Sequence, residues 1–260
     1  MFYRIISAQE SKQRRKEVSN EIKKLGLVPI FFDAIMGRDY TQDELNTLAL
    51  PNNDMLPGEI GCALSHVGVL KEFLSSDESV ALVMEDDIDI QDSFDSNDLV
   101  RLTKWFDSLD IPAISLLYTS AHAYKKIVSL ETIDVYKAFT GALAHAYLIN
   151  REAAKRIIQL QTPIRFEFDI FKYYYLLANV EIYSLNSDYI NQKGFGSLLD
   201  DEREGRGNFL NRGRKRKATY KACFKNLSLK HKLWAMWIQV KKSVWEAFYK
   251  KKGIQYIKSK

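Results

Sequence analysis

The sequence is poor in residues that cross-link a protein or bind structural zinc. It has two cysteines and four histidines in 260 residues. Cys62 and Cys223 cannot build a disulfide framework, and the histidines lack the spacing of a zinc finger. No stretch approaches the roughly 20 apolar residues that cross a bilayer. Residues 1–7 lack a basic leader and a cleavage site, so we expect no signal peptide and a reducing, cytoplasmic setting.

The composition that remains is typical of a globular protein. Hydrophobic residues make up 46% of the chain and charged residues 27%, which excludes a disordered or fibrous chain. A chain of this length forms one large domain or two small ones and buries a sizeable core.

Charge is distributed unevenly along the chain. Residues 201–260 carry 18 Lys and Arg against 4 Asp and Glu, a net charge of +14, whereas residues 1–200 carry a net charge of −9. Such a split indicates a globular body with a tail for an anionic partner, such as nucleic acid, a phosphate-bearing substrate or a membrane surface.

Apolar runs typical of strands alternate with segments whose apolar residues recur every three or four positions, as in helices. The predicted strands are residues 3–7, 28–32, 80–84, 113–118, 127–130, 133–139, 147–149 and 180–185. The predicted helices are residues 11–25, 59–75, 151–160 and 169–177, and residues 36–57 are expected to form a long loop. This alternation predicts an α/β sheet flanked by helices.

Three acidic residues, Glu85-Asp86-Asp87, directly follow the apolar run of residues 80–84. A strand that ends in acids delivers them to the carboxyl edge of a sheet, where ligand crevices lie. Their mutual repulsion calls for a positive partner, and carboxylate oxygens suit Mg²⁺ or Mn²⁺. A solvated acidic turn would give the same pattern, so both interpretations stay open.

The segment Pro57–His66 opens the predicted helix 59–75. Glu59 stands where a carboxylate favours the positive end of the helix dipole, so it is either a site residue or a plain helix-start acid. Gly61 and Ala63 permit close packing. His66 is polar within an apolar helix and is either a site residue or a core histidine bound to a backbone carbonyl.

These segments, taken in order, resemble glycosyltransferase family 25, the lipooligosaccharide galactosyl- and glucosyltransferases. The resemblance covers most of residues 3–217. The combination of segments is specific, although each segment alone would be weak evidence for the family. The segments of the first half are Ile5-Ile6-Ser7 with Arg14-Arg15, Phe32-Asp33-Ala34-Ile35, Gly58–His66 and Met84–Ile88. Those of the second half are His145–Ile149 with Arg151–Ala153, Asp169, the Gln192 region and Gly196-Ser197-Leu198.

The resemblance implies a GT-A type nucleotide-sugar-binding sheet flanked by helices over residues 1–210. The charge and apolar spacing of residues 211–260 separately predict a basic amphipathic helical tail. The resemblance implies an inverting enzyme that moves galactose or glucose from a UDP-sugar to a lipooligosaccharide or lipopolysaccharide glycan. That acceptor sits on a lipid anchor, so we expect peripheral attachment to the inner face of the bacterial inner membrane.

The resemblance also implies roles for individual residues. Asp87, assisted by Glu85, would hold Mn²⁺ or Mg²⁺ and so neutralise charge on the leaving diphosphate. Inversion by single displacement needs a base at the acceptor hydroxyl. The candidates for that base are Asp169, which we favour, and Glu59. The residues expected to bind the donor are Ser7, Arg15 (with Arg14 as the alternative), Asp33, Glu85, Asp86, His145, Tyr147 and Gln192.

The tail combines a basic cluster with an apolar stripe. Arg212 and Arg214–Lys217 form the cluster, and the stripe recurs at spacings of three and four between lysines. Its members are Leu233, Trp237, Val240, Val244 and Phe248. A basic amphipathic helix with tryptophan is typical of a segment that binds an anionic membrane surface. The alternative is that Leu233 and Trp237 pack on the body.

Two other function classes fit part of the pattern. A nucleic-acid-binding protein would explain the tail but not the acidic triplet, so we expect no nucleic acid as partner. A metal-dependent nucleotide-processing enzyme would use the triplet, yet the sequence has no G-x-x-x-x-G-K-[ST] phosphate loop.

Overall fold

The computed structural model describes residues 1–50, 54–194 and 209–252. The segment 196–198 included in the resemblance lies outside these residues, as do the side chains of 209–212 and 249–252.

Strands and helices alternate through the first two thirds of the chain. The strands are β1 (Phe2–Ser7), β2 (Phe31–Asp33), β3 (Val80–Glu85), β4 (Ile88–Ile90), β5 (Ala113–Leu116), β6 (Ala123–Leu130), β7 (Ile133–Ala138), β8 (Ala146–Asn150), β9 (Glu181–Leu185) and β10 (Ile190–Gln192). The helices are α1 (Lys12–Glu21), α2 (Gln42–Leu48), α3 (Pro57–Ser75), α4 (Ser96–Asp107), α5 (Arg151–Leu160), α6 (Phe171–Ala178), α7 (Phe209–Lys225) and α8 (Leu229–Lys252). Ile22–Leu25 and Gly37–Asp39 form short 3₁₀ turns.

A mixed eight-stranded sheet lies at the centre, in the order β2-β1-β3-β8-β5-β9-β7-β6. β1 runs parallel to both β2 and β3, and β5 runs parallel to β9. The other neighbours in the sheet are antiparallel. β4 and β10 form a separate antiparallel pair beside it.

Helices cover both faces of the sheet, as the sequence predicts for an α/β fold. Phe73 of α3, Ile157 of α5 and Phe171 of α6 belong to one buried cluster. Val18 of α1 and Leu102 of α4 belong to the other. β3 lies between the two clusters and is apolar along its length because both its faces are buried. Each fully buried aliphatic side chain stabilises the fold by roughly 1.5–3 kcal/mol.

The predicted elements differ from the observed ones in several places. The sequence analysis did not predict helix α4 or the short strands β4 and β10. The expected loop 36–57 contains α2, which a capping box between Thr41 and Glu44 starts. The second strand is shorter than the predicted 28–32, because only residues 31–33 pair with β1 at this edge of the sheet. Val28, within the predicted strand, is 70% exposed.

The tail forms two helices, and one face of them packs on the body. Ala235 is fully buried, and Trp234 and Trp245 pack against the cluster that contains α3 and α6. Leu233 and Trp237 lie on the opposite face, 56% and 63% exposed. The stripe noted in the sequence is therefore not the face that contacts the body.

Candidate functional site

The carboxyl ends of β2, β1 and β3 meet at one edge of the sheet because the three strands are parallel. Ser7 pairs in register with Asp33, and Ile6 pairs with Glu85. A cleft opens above this edge, between the strand ends, α1 and the start of α3. The residues that line it are Ile6, Ser7, Ala8, Arg14, Ala34, Ile35, Met36, Gly37, Arg38, Gly58, Cys62, Ser65, His66, Glu85, Asp86, Asp87 and Gln192.

Asp86 is the member of the acidic triplet that the protein itself neutralises. Its carboxylate accepts a hydrogen bond from Ser7 Oγ at 2.6 Å and pairs with Arg14 Nη1 at 2.9 Å. Asp86 is buried, and these contacts satisfy both of its oxygens. This residue therefore anchors Ser7 and Arg14 in the cleft rather than offering a free ligand atom.

Asp87 is only half satisfied. β10 pairs with β4 so that Gln192 stands opposite Ile88, and Gln192 Nε2 donates to Asp87 Oδ2 at 2.8 Å. Within the described part of the chain, Asp87 Oδ1 is buried and has no hydrogen-bond partner. Burial, and then repulsion from Glu85, raises the pKa of Asp87 to about 6.

A cation beside Asp87 would supply what this side chain lacks. A buried carboxylate oxygen without a partner is costly, and a hard divalent cation compensates it. The residues present thus fit such an ion, which Asp87 would hold through Oδ1 with help from Glu85. The carboxylates of Glu85, Asp86 and Asp87 do not form a three-ligand metal cluster among the described residues. The three potential ligand atoms that lie within 4.8 Å of one another belong to Cys62, His66 and Glu85.

His66 connects Glu85 to the interior of the sheet. Its Nε2 lies 3.2 Å from Glu85 Oε1 and its Nδ1 lies 3.0 Å from Tyr147 Oη. A carboxylate only accepts, so Nε2 carries the proton and the Tyr147 hydroxyl donates to Nδ1. Burial acts to raise the pKa of Glu85, but the His66 hydrogen bond and the nearby His66, His145 and Arg14 outweigh it, and the pKa of Glu85 is lowered. His66 is buried as expected for a core histidine, but its two ring nitrogens hydrogen-bond to side chains rather than to a backbone carbonyl.

Arg15 and Asp33 lie beside the cleft and contact each other. Arg15 Nη2 donates to Ser7 O at 2.9 Å and pairs with the Asp33 carboxylate, and the guanidinium lies 4.7 Å from the centre of the Phe31 ring. The arginines that line the cleft itself are Arg14 and Arg38. Of the two arginines considered for phosphate binding, Arg14 is the one in the cleft wall.

Two glycines let the start of α3 touch the loop that forms the far wall. A Cβ on Gly37 would lie 1.7 Å from Pro57 O, and one on Gly61 would lie 2.4 Å from Ile35 O. Ser65 Oγ accepts a hydrogen bond from Ile35 N at 2.8 Å, which holds the same loop against α3. The close packing expected at Gly61 is thus present, and it shapes the cleft.

Glu59 points back to the beginning of its own helix. Its Oε2 accepts a hydrogen bond from Leu56 N at 2.9 Å, and the side chain is buried. This contact favours the helix-start interpretation of Glu59. The cleft wall at this position is formed instead by Gly58 and Cys62.

His145 and Tyr147 lie behind the cleft wall. Both are buried, and His145 Nε2 donates to Ile190 O at 2.8 Å. Burial lowers the pKa of His145. Tyr147 reaches the cleft only through His66.

Asp169 precedes α6 and is partly buried. Burial, followed by the charges of Glu167 and Glu85, raises the pKa of Asp169. The Leu143 N–H bonds to it, and Leu143 holds a left-handed φ of 71°. Backbone strain of this kind is often stored at functional sites. A carboxylate whose pKa is raised toward neutrality suits a general base.

Sequence reasoning did not single out Cys62 or Arg38. The i, i+4 spacing of Cys62 and His66 was a usable signal, because it puts both on one helix face. Arg38 had no signal, because it lies in a stretch predicted to be loop and reaches the cleft only through the packing of Gly37 on α3.

Comparison with known proteins identifies the family. The sequence model described as glycosyltransferase family 25 (LPS biosynthesis protein) matches residues 1–172. A relative named "Glycosyltransferase 25 family member", from Aedes aegypti, is 28% identical over 171 residues. That match covers 60% of this chain but 27% of the relative, so the chain spans well under half of the curated protein.

Proposed function

The chain belongs to glycosyltransferase family 25, and we propose on that basis that it is an inverting hexosyltransferase of GT-A type. The donor is a UDP-sugar, with galactose or glucose as the hexose, and the acceptor is a lipooligosaccharide or lipopolysaccharide glycan. The observation that carries the proposal is the cleft at the β2-β1-β3 edge, where Asp87 keeps a buried carboxylate oxygen without a partner among the described residues.

The donor half of the proposal uses that cleft. Asp87 and Glu85 would hold Mn²⁺ or Mg²⁺, which neutralises the negative charge that develops on the leaving diphosphate. Arg14 and Arg38 line the same cleft and suit phosphate oxygens, because a guanidinium binds them with two parallel hydrogen bonds. The Gly37–Gly61 contact holds the wall against which the nucleotide would pack.

The acceptor half assigns the general base to Asp169. Its carboxylate takes the proton of the acceptor hydroxyl, and the hydroxyl oxygen bonds to the anomeric carbon from the face opposite the nucleotide. The bond from that carbon to the diphosphate oxygen breaks, and UDP leaves with the electron pair. One displacement of this kind inverts the anomeric centre. The raised pKa of Asp169 supports this assignment over Glu59, which caps its own helix.

The proposal includes attachment to an anionic membrane, the inner face of the bacterial inner membrane. No helix in the described residues is long and apolar enough to span a bilayer. α8 instead exposes an apolar stripe on the face turned away from the body, bordered by lysines that complement anionic lipid. Its exposed members are Leu229, Leu233, Met236, Trp237, Val240, Val244 and Phe248.

A panel of UDP-sugars tests the proposal through thermal unfolding. A donor that binds only the folded state raises the melting temperature, and binding at a hundred times Kd adds about 2.7 kcal/mol. We expect UDP-galactose or UDP-glucose to stabilise the chain with Mn²⁺ and much less with chelator. Stabilisation by no UDP-sugar would contradict the proposal. Hydrolysis of several nucleotides without transfer would favour the nucleotide-processing alternative.

A further inference from the structure

A second cavity lies outside the cleft, where α7 and α8 pack over α6. Its volume is about 530 Å³, within the range of small-molecule sites. It shares no lining residue with the cleft at the sheet edge. Apolar and aromatic side chains, among them Phe139, Tyr173 and Tyr220, form part of its wall.

The charged groups of this cavity are mostly positive. Lys172, Arg216, Lys217 and Lys242 line it, against a single lining carboxylate, Glu246.

Two of these cations have carboxylate partners. Lys242 Nζ lies 3.5 Å from Glu246, which also lies 3.3 Å from His122 Nδ1, and Arg216 pairs with Glu167.

Lys172 has an aromatic partner instead, since its Nζ lies 5.1 Å from the centre of the Tyr173 ring. Across the described ranges, no carboxylate forms an ion pair with Lys172 or Lys217. Burial lowers the pKa of Lys172, and the charges of Lys242 and Arg216 lower it further. Clustered cations that repel one another across a cavity attract an anion, as acids in a row attract a cation.

The cavity adjoins the proposed general base. Ile170, in its wall, directly follows Asp169, and Arg216 is close enough for its charge to act on Asp169. A molecule whose anionic group sits among these cations would thus lie next to Asp169. The tail contributes Arg216, Lys217 and Lys242 to this wall, which gives its basic residues a role apart from the exposed stripe.

We propose that this cavity binds a phosphate group that positions the acceptor, carried either by the acceptor glycan or by a neighbouring lipid headgroup. Arginine and lysine together suit a phosphate group. Arginine binds it through two parallel hydrogen bonds, and lysine attracts it as a point charge. The link to acceptor binding rests on the proposed glycosyltransferase function, whereas phosphate binding itself does not.

The test compares two variants of the full chain, Lys172→Met in the cavity and Lys155→Met as control. Lys155 is an exposed lysine of α5 outside both cavities. Binding of glucose 6-phosphate is measured by calorimetry. Sedimentation is measured with vesicles of phosphatidylcholine containing phosphatidic acid, against phosphatidylcholine alone.

We expect Lys172→Met to weaken phosphate binding about tenfold, with Lys155→Met unchanged. A loss seen with glucose 6-phosphate supports a phosphate on the glycan, and a loss confined to phosphatidic acid supports a lipid headgroup. Equal behaviour of the two variants in both arms would overturn the proposal. If Lys172→Met lowers the melting temperature, Lys242→Met carries the same comparison. Failure of the glycosyltransferase proposal would appear separately, as absent UDP-sugar turnover with phosphate binding intact.

Discussion

Replacing Asp87 with asparagine should stabilise the metal-free protein while it abolishes activity. The side chain is 6% exposed, and its pKa is raised from 3.8 to about 6. The folded protein therefore keeps this proton to a higher pH than the unfolded chain does. Between about pH 4 and 6 the folded state binds more protons, so its stability falls as the pH rises through that window.

The size of this effect follows from the shift in pKa. A shift of about two units corresponds to up to about 3 kcal/mol of lost stability above pH 6. An asparagine side chain has nearly the same shape as aspartate, its amide oxygen can still accept from Gln192, and it carries no charge. In chelator at pH 8 the Asp87→Asn variant should thus be the more stable protein, with a melting temperature higher by roughly 6–12 °C for the full 3 kcal/mol.

Thermal unfolding of both proteins from pH 4 to pH 8 in chelator is the assay. The two curves should meet near pH 4 and separate as the pH rises. Adding Mn²⁺ should raise the melting temperature of the wild type much more than that of Asp87→Asn, because the variant keeps only Glu85 of the two carboxylates proposed to hold the ion. A variant that is less stable than wild type at pH 8, or curves that stay parallel, would refute the reasoning about Asp87.

Three further changes test other parts of the account. Asp169→Asn should lower turnover by roughly 10²-fold or more with donor affinity unchanged; if Glu59→Gln is inactive instead and Asp169→Asn is not, the base is Glu59. Gly61→Ala should cost about 1–3 kcal/mol in urea unfolding because its Cβ would meet Ile35 O, while Gly194→Ala, which meets open space, should be neutral; equal costs would refute the close-packing argument. Trp237→Ser should reduce sedimentation with anionic vesicles at low salt without lowering the melting temperature, and unchanged sedimentation would speak against the exposed stripe as a membrane contact.

Residues close in sequence were the ones whose arrangement could be predicted. The apolar run before Glu85 predicts a buried strand, and the acids that follow it are predicted at the carboxyl edge of a sheet. The sequence could not show which of the three acids keeps a carboxylate oxygen without a hydrogen-bond partner among the described residues. That depends on Ser7 and Arg14, 79 and 72 residues away from Asp86, and on Gln192, which the β4–β10 pairing brings to Asp87.

Helical periodicity likewise left the tail ambiguous. α8 is apolar on two faces, so spacing alone identified Leu233 and Trp237 as a stripe without showing which face meets the body. The buried face uses Ala235 and Trp234, and Ala235 contributes too little side chain to mark a core position in sequence. The second cavity was equally hidden, because its lining residues Lys172 and Lys242 lie on helices far apart in the sequence.

The most direct test of the central claim is the anomeric configuration of the first product formed from a UDP-sugar. Water can replace the acceptor, so proton NMR of the chain with UDP-galactose or UDP-glucose and Mn²⁺ follows release of the free hexose before mutarotation. We expect the β-anomer to appear first from the α-linked donor, and neither chelator-treated protein nor Asp87→Asn to release it. First appearance of the α-anomer, or release that continues in chelator, would contradict metal-dependent inverting transfer at this cleft.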